Sequence, residues 1–244
     1  MKNAVIMQAR VGSSRLHAKV LKELCGKTVL EHDIERIRQA ATVDDIIIAT
    51  TDKPEDIAIV EVAEKCKTKV FRGSENDVLD RYYQAAKKYD VENIIRITSD
   101  CPLVDPHVID DVMTCYNEGN YDIITNVPNE WEKMSYPRGL DLETFPFRWL
   151  EKAWKEATDP YDREHVSPYI YDHAKNRYYY RYDKDYSAYR WTLDTEEDWK
   201  VISKIYEHFY HGSHDFYFED IVGYMQKHPE IAAINADVKQ KLRY

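Results

Sequence analysis

Residues 4–19 read Ala4-Val5-Ile6-Met7-Gln8-Ala9-Arg10-Val11-Gly12-Ser13-Ser14-Arg15-Leu16-His17-Ala18-Lys19. The apolar run Ala4 to Met7 predicts a short strand, and a loop with Arg10, Arg15, Lys19, one glycine and two serines follows it at once. Cations spaced along a loop, with backbone N–H groups and hydroxyls between them, can wrap a polyphosphate. On charge alone the segment reads rather as a solvated basic loop. Its position after the first strand of an α/β sheet is what favours the phosphate reading.

Outward from that loop, β-branched runs alternate with stretches of helical period, the pattern of a parallel sheet covered by helices. Strands are expected at Ala4 to Gln8, Asp45 to Thr50, Lys69 to Arg72, Asn93 to Thr98 and Tyr121 to Thr125. Leu30, Ile34, Ile37 and Ala41, and again Ile109, Val112, Met113 and Tyr116, repeat at helical spacing and mark connecting helices. The fold class is therefore α/β: a Rossmann-like, mostly parallel sheet flanked by helices, whose ligand crevice lies beyond the carboxyl ends of the strands. After about Val127 the rhythm changes. Short strand-like pieces are expected at Arg138 to Glu143, Asn176 to Tyr182 and Tyr189 to Leu193, in a region that holds most of the twenty tyrosines. From Thr195 the chain reads as helices, capped by Thr195 and broken near Gly212 and Pro229.

The 244 residues suit one principal core, and 43% hydrophobic composition is enough to fold without disulfides. A formal charge of -10 repels phosphate polymers and anionic membranes, so neither nucleic acid nor membrane is an expected partner, and any bound anion needs a local basic site. The start shows no leader pattern, and Cys25, Cys66, Cys101 and Cys115 lack a paired spacing. Reduced thiols and a cytoplasmic location are the expectation. Cys25-Gly26-Lys27-Thr28 ends like a phosphate-binding P-loop, but Leu21 stands where that motif needs glycine, so Gly26 is read as a turn and Thr28 as a helix cap.

Six stations in order carry a resemblance. They are Ala9-Arg10-x-Gly12-Ser13-x-Arg15-Leu16-x-x-Lys19, Phe71-Arg72-Gly73-Ser74-Glu75-Asn76-Asp77-Val78-Leu79-Asp80-Arg81-Tyr82, Arg96-Ile97-Thr98-Ser99-Asp100-Cys101-Pro102-Leu103, Gly139-Leu140-Asp141-x-Glu143, Arg163-Glu164-His165-Val166 and Arg190-Trp191-Thr192-Leu193-Asp194-Thr195-x-Glu197-Asp198. In them the chain resembles the nucleotidyltransferase superfamily that includes the CMP-sialate and CMP-Kdo synthetases, most closely its SpsF-like cytidylyltransferase branch of surface polysaccharide synthesis. The resemblance implies a CTP-binding loop from Arg10 to Lys19, a nucleoside-side loop from Arg72 to Arg81, and Mg²⁺ on Asp100 and Asp194. His17-Ala18 departs from the family's usual Pro-Gly, which removes easy positive-φ geometry from the loop.

The residues themselves support several of these roles and leave alternatives. Asp100 and Asp194 each end a strand-like run, where one or two carboxylates suffice for Mg²⁺ when substrate supplies the other ligands; each is also placed to cap a helix. Ala9, Gly12, Ser13, Arg72, Ser74, Asn76, Asp77 and Ser99 join Arg10, Arg15 and Lys19 as nucleotide-contact candidates, although the Asp77 to Arg81 stretch also fits a capped surface helix. Arg138, Asp141, Arg163, His165 and Arg190 are candidates for an anionic acceptor, since guanidinium forks hold carboxylate or phosphate; surface salt bridges are the alternative. His208, His211 and His214 read as a solvated helix end rather than a metal cluster, and the tyrosine stripe, which could stack on a base or sugar, reads rather as core or as the interface of a possible homodimer.

The expectation is one domain: a nucleotide-binding half at about 1–126, an acceptor-side elaboration at about 127–194, and C-terminal helices at about 195–244. It would move CMP from CTP to a small anionic sugar or sugar-like acceptor, with Arg10, Arg15, Lys19, Asp100 and Asp194 catalytic. A nucleotide-sugar glycosyltransferase is the rival within enzymes, but no Asp-x-Asp pair stands at Asp100. A catalytically silent nucleotide-binding protein is the rival outside them.

Overall fold

In the computed structural model, which describes residues 2–12, 15–128 and 133–239, the opening apolar run is β1 (Asn3–Gln8). A two-stranded hairpin, β2 (Glu23–Leu24) and β3 (Lys27–Thr28), turns at Gly26, whose φ of 84° suits glycine, and leads into α1 (Val29–Ile37). Thr28 caps α1 in a capping box with Glu31, as its sequence position predicts. Then come β4 (Asp45–Thr51), α2 (Ile57–Lys65), β5 (Lys69–Gly73), α3 (Val78–Lys88), β6 (Asn93–Thr98) and α4 (Pro106–Glu118). This half matches the sequence expectation to within a residue or two, except that α1 stops before Ala41.

The later region differs more. It runs β7 (Ile123–Thr125), β8 (Glu143–Pro146), α5 (Phe147–Glu156), α6 (Pro160–His165), α7 (Pro168–His173) and β9 (Arg177–Tyr179), then α8 (Glu196–Phe209), α9 (Phe218–Lys227) and α10 (Pro229–Ala233). The expected strand at Arg138 to Glu143 is instead a turn leading into β8. Gly139 has φ of 107°, and a Cβ there would sit 2.3 Å from the Trp191 backbone. That close approach reduces the expected strands at 138–143 and 189–193 to one bridge, Arg138 to Arg190. The helices α5, α6 and α7 fill the stretch between the expected strands, to which the sequence reading gave no element; each starts at or beside a proline, a residue that suits the first helical turn.

All main strands form one sheet in the order β5-β4-β1-β6-β8-β7-β9, with β8 antiparallel to both of its neighbours. Alternation along β1 divides the core. Val5 and Met7 pack with α1, α4, α8 and α9, through Ile34, Val112, Ile205 and Ile221. Ala4 and Ile6 pack with α3, α5 and α7, through Leu79, Tyr82, Leu150 and Ile170. Two buried faces explain why β1 is apolar from Ala4 to Met7. Tyr182, Tyr186 and Tyr189 pack against Tyr136, Trp191 and Phe218, so that part of the tyrosine stripe belongs to the core. Among the described residues no helix is long and apolar enough to cross a membrane.

Candidate active site

At the carboxyl ends of β1 and β6 lies a cavity of about 510 Å³, reached by Gln8, Thr98, Asp100 and Arg15 on one side and by Arg138, Asp141 and His165 on the other. Its floor is charged and tightly paired. The Lys19 ammonium has three N–H groups, and all three find acceptors: Asp100 Oδ2 at 3.0 Å, Asp194 Oδ1 at 2.9 Å and the Leu193 carbonyl at 2.8 Å. Arg15 Nη2 meets the same Asp194 oxygen at 2.9 Å. Residues far apart in the chain thus meet at one point, because Leu193 N–H also donates to the Asp100 carbonyl at 2.8 Å.

Burial works against the charges here, and partners restore them. Burial favours neutral Lys19, but the charges and hydrogen bonds of Asp100 and Asp194 outweigh it and raise its pKa. Burial likewise favours protonated Asp100, yet Lys19 and the Thr98 hydroxyl bring its pKa down. Asp33, fully buried on α1, has no hydrogen-bond partner among the described residues; burial and the charge of Asp100 push its pKa well up. Burial and Asp100 also hold the Cys101 thiol neutral.

The basic loop is shaped by its neighbours. Val11 N–H donates to the buried Asp56 at 2.7 Å, and Ala18 N–H returns to the Val11 carbonyl at 3.2 Å. Ala18 keeps the left-handed geometry (φ 49°, ψ 30°) although it is not glycine, so the loop path survives the His17-Ala18 departure with some local strain. Arg10 reaches Glu75 at 3.7 Å, Ala9 is buried, and Gly12 is exposed with open space where a Cβ would stand. Ser13 lies outside the described residues.

The nucleoside-side candidates divide. Ser99 Oγ donates to the Gln8 carbonyl at 2.8 Å and ties β1 to β6 beside the cavity. Arg72 turns away and holds the Thr51 and Lys53 carbonyls at 3.0 and 2.9 Å. Ser74 accepts from Arg81 through its carbonyl, Asn76 is exposed, and Asp77 caps α3 and pairs with Arg163. Asp77 thus caps its helix as the alternative reading had it, but its ion pair is with Arg163, and Arg81 is buried.

On the acceptor side the expected three-arginine cluster does not form. Arg138 lines the cavity with Asp141 at 3.4 Å. Arg163 instead grips Asp77 and the Trp154 carbonyl, and Arg190 lies buried against Asp194 and Asp198. Both sit next to carboxylates because an arginine removed from water needs a charged partner. Asp141 has its pKa raised, chiefly by burial. His165 and Ser167 enter the cavity wall from either side of Val166, whose φ of 70° and ψ of -57° form a γ-turn closed by Ser167 N–H to the His165 carbonyl at 2.8 Å. A β-branched residue at positive φ is strained, and the strain aims two polar side chains at the cavity.

Sequence reasoning gave no role to Arg96 and Glu143, which pair at 2.8 Å in the cavity wall, or to Ser167, which donates to Glu143 at 3.0 Å. It also missed Tyr171 and Arg177, while Tyr179, from the tyrosine stripe, lines the cavity. The signal for Arg96 was present: a cation inside the apolar run Asn93 to Thr98 must be paired or face a polar cavity. His214 corrects the solvated helix-end reading. It is buried, and its Nε2 lies 2.8 Å from His32 Nδ1, while His32 Nε2 donates to the Leu24 carbonyl at 2.7 Å. Among the described residues no three His, Cys, Asp or Glu side chains cluster as a ready-made metal site. Asp100 and Asp194 converge on one cation all the same, and their hard oxygen donors suit Mg²⁺, which needs only one or two carboxylates beside substrate phosphates.

Comparison with known proteins gives concordant matches. A family model described as Cytidylyltransferase matches residues 4–228. The spore coat polysaccharide biosynthesis protein SpsF of Bacillus subtilis (strain 168) is 33% identical over 208 residues, covering 83% of this chain and 85% of that protein. The solved structure of a cytidylyltransferase from Leptospira borgpetersenii serovar Hardjo-bovis (strain JB197) superposes with a TM-score of 0.88 at 32% identity, covering 100% of both chains. A CMP-2-keto-3-deoxy-manno-octonic acid synthetase complexed with CTP shares the fold, with a TM-score of 0.63 at 16% identity over 85% of this chain and 99% of that one.

Proposed function

This chain belongs to the cytidylyltransferase family, and from that premise we propose that it transfers CMP from CTP to a small anionic sugar acid, or to a phosphorylated sugar or polyol, for surface polysaccharide synthesis. The observation that carries the proposal is the meeting of Lys19 and Arg15 with Asp100 and Asp194 at the strand ends beside the cavity. An acceptor oxygen attacks the α-phosphorus, the new P–O bond forms as the bond to the β-phosphate bridging oxygen breaks, and pyrophosphate leaves with that electron pair. Asp100 and Asp194 would hold Mg²⁺, which supplies Lewis-acid neutralisation of phosphate charge when bound. Lys19 and Arg15 then exchange carboxylate partners for triphosphate oxygens, with Arg10 at the outer edge of the loop. Catalysis by this chain is positioning and charge compensation in a partly desolvated site.

Arg138 and Arg177 both line the cavity and would orient an acceptor anion there. If the nucleophile is a hydroxyl, Asp141 is the better-placed base, because burial has raised its pKa and with it its appetite for a proton; His165 is the second candidate. A phosphate nucleophile needs neither.

Pyrophosphate release, with CTP and Mg²⁺, across sialic-type acids, Kdo, glycerol phosphate and sugar phosphates tests the proposal. One acceptor class should give turnover, and CTP should raise the melting temperature more than ATP does. Equal shifts from all four triphosphates, or no turnover with any anionic acceptor, would sink it.

A further inference from the structure

Asp194 divides its two oxygens between different surroundings. Oδ1 meets Lys19 and Arg15, each at 2.9 Å, on the cavity side. Oδ2 accepts from Arg190 Nη2 at 3.0 Å behind it. A guanidinium beside a carboxylate ordinarily takes both oxygens in a fork, and such a fork would remove Asp194 from the site.

Asp198 prevents that. It takes Arg190 Nε on Oδ1 at 2.9 Å and shares Nη2 on Oδ2 at 3.1 Å. The same Oδ2 accepts the backbone N–H groups of Asp194 at 3.0 Å and Thr195 at 3.1 Å, which fixes the backbone that carries Asp194. Arg190 and Asp198 cancel each other's charge at short range, so the Asp194 charge stays directed at the cavity.

Beyond α10, the buried Asn235 closes this arrangement. Its Nδ2 donates to Asp198 Oδ1 and to the Arg190 carbonyl, both at 2.9 Å. A neutral donor fits there; an acid would repel Asp198, and a cation would compete with Arg190 for it.

We infer that Asn235 is a positioning residue for Asp194: acting through Asp198 and Arg190, it keeps one oxygen of that carboxylate turned to the metal and triphosphate. The inference rests on the proposed role of Asp194 as a metal carboxylate, and it makes the C-terminal segment part of the site's construction. The full-length Asn235→Ala variant tests it through three measurements: Mn²⁺ uptake by the CTP-loaded protein, followed by electron paramagnetic resonance; CTP binding without metal, by calorimetry; and kcat. Mn²⁺ affinity and kcat should each fall about tenfold, the scale of outer-sphere metal partners, while metal-free CTP affinity stays within about twofold because Lys19 and Arg15 are untouched. Asn235→Asp should lose more, by adding charge beside Asp198. If Asn235→Ala does not fold, Arg190→Lys, which keeps the charge and loses the fork, should give the same pattern. Native Mn²⁺ affinity and kcat with only a lowered melting temperature would overturn the inference and leave Asn235 a fastening for the C-terminal segment. A wild-type CTP complex that takes up no Mn²⁺ would overturn it together with the metal role beneath it.

Discussion

Replacing Lys19 by Met keeps the length of the side chain and removes three donors from two carboxylates and a carbonyl. Asp194 is nearly buried and Asp100 about one-quarter exposed, so the unpaired acids have little water to turn to. Breaking such a pair costs about 3–5 kcal/mol, and partial exposure of Asp100 sets the lower figure as the expectation for stability near neutral pH. The same change removes a positive charge from the proposed site of pyrophosphate departure, with an expected cost of about 2–4 kcal/mol by comparison with single electrostatic donors, or roughly 30- to 1000-fold in kcat. The two losses separate in one experiment. Without nucleotide, Mg²⁺ should stabilise Lys19→Met markedly, since a divalent ion replaces the ammonium, but should stabilise the wild type little, since Lys19 competes for the same oxygens. Differential scanning calorimetry over a Mg²⁺ series reads the stability, and pyrophosphate release at saturating CTP reads kcat. Equal Mg²⁺ stabilisation of both proteins, or kcat within threefold of wild type, would refute the assignment of Lys19.

Asp100→Asn and Asp194→Asn should each lower kcat at least about a hundredfold while circular dichroism stays native, because an amide is a poor Mg²⁺ ligand; wild-type turnover at saturating CTP removes that residue from the metal site. Burial, and the charges of Arg36, His32 and Lys27, lower the His214 pKa to about 3, so the folded state refuses a proton that the unfolded state accepts below about pH 6.5. Stability should therefore fall as pH drops from 6.5, by up to about 1.4 kcal/mol per pH unit from this group, and urea unfolding of His214→Gln should show a shallower slope; an unchanged slope counts against it. Ala18→Gly relieves the left-handed alanine in the basic loop and should raise stability by about 0.5–1 kcal/mol, read as a small rise in melting temperature; a decrease would show that the loop does not keep that geometry in solution.

The first half was legible because its central strands β1, β4 and β6 are largely buried and announce themselves as apolar runs, as Ala4 to Met7 does. The charged group on the cavity floor was legible for a related reason: Asp100 stands two residues after such a run, and Lys19 lies in the loop after the first. What sequence does not encode locally is partnership. Arg163 and Arg190 look like Arg138 in composition, yet only the folded chain shows that Asp77 and Asp198 already hold them. β8 escaped because four residues beginning with Glu143 and ending with Pro146 have no period to read, and His214, in the loop between α8 and α9, escaped because its partner, His32, lies on α1, 182 residues away.

The place of β8 in the sheet governs how the molecule can be made. β6 is complete at Thr98, but its free side is covered only by residues Glu143–Pro146. A ribosome adding about 5–20 residues per second needs roughly 2–9 s to deliver them, and for that interval β6 is the growing edge of a parallel sheet, open to pairing with any other extended chain. Arg96 stands in the middle of that edge. A charge on an exposed edge strand discourages intermolecular pairing, and it is neutralised only when Glu143 arrives beside it in the correct register. The Arg96 charge, before its ion pair forms, is therefore expected to guard the nascent chain against aggregation, and replacing Arg96 with an apolar residue should lower the yield of soluble protein during synthesis even if the finished fold tolerates it.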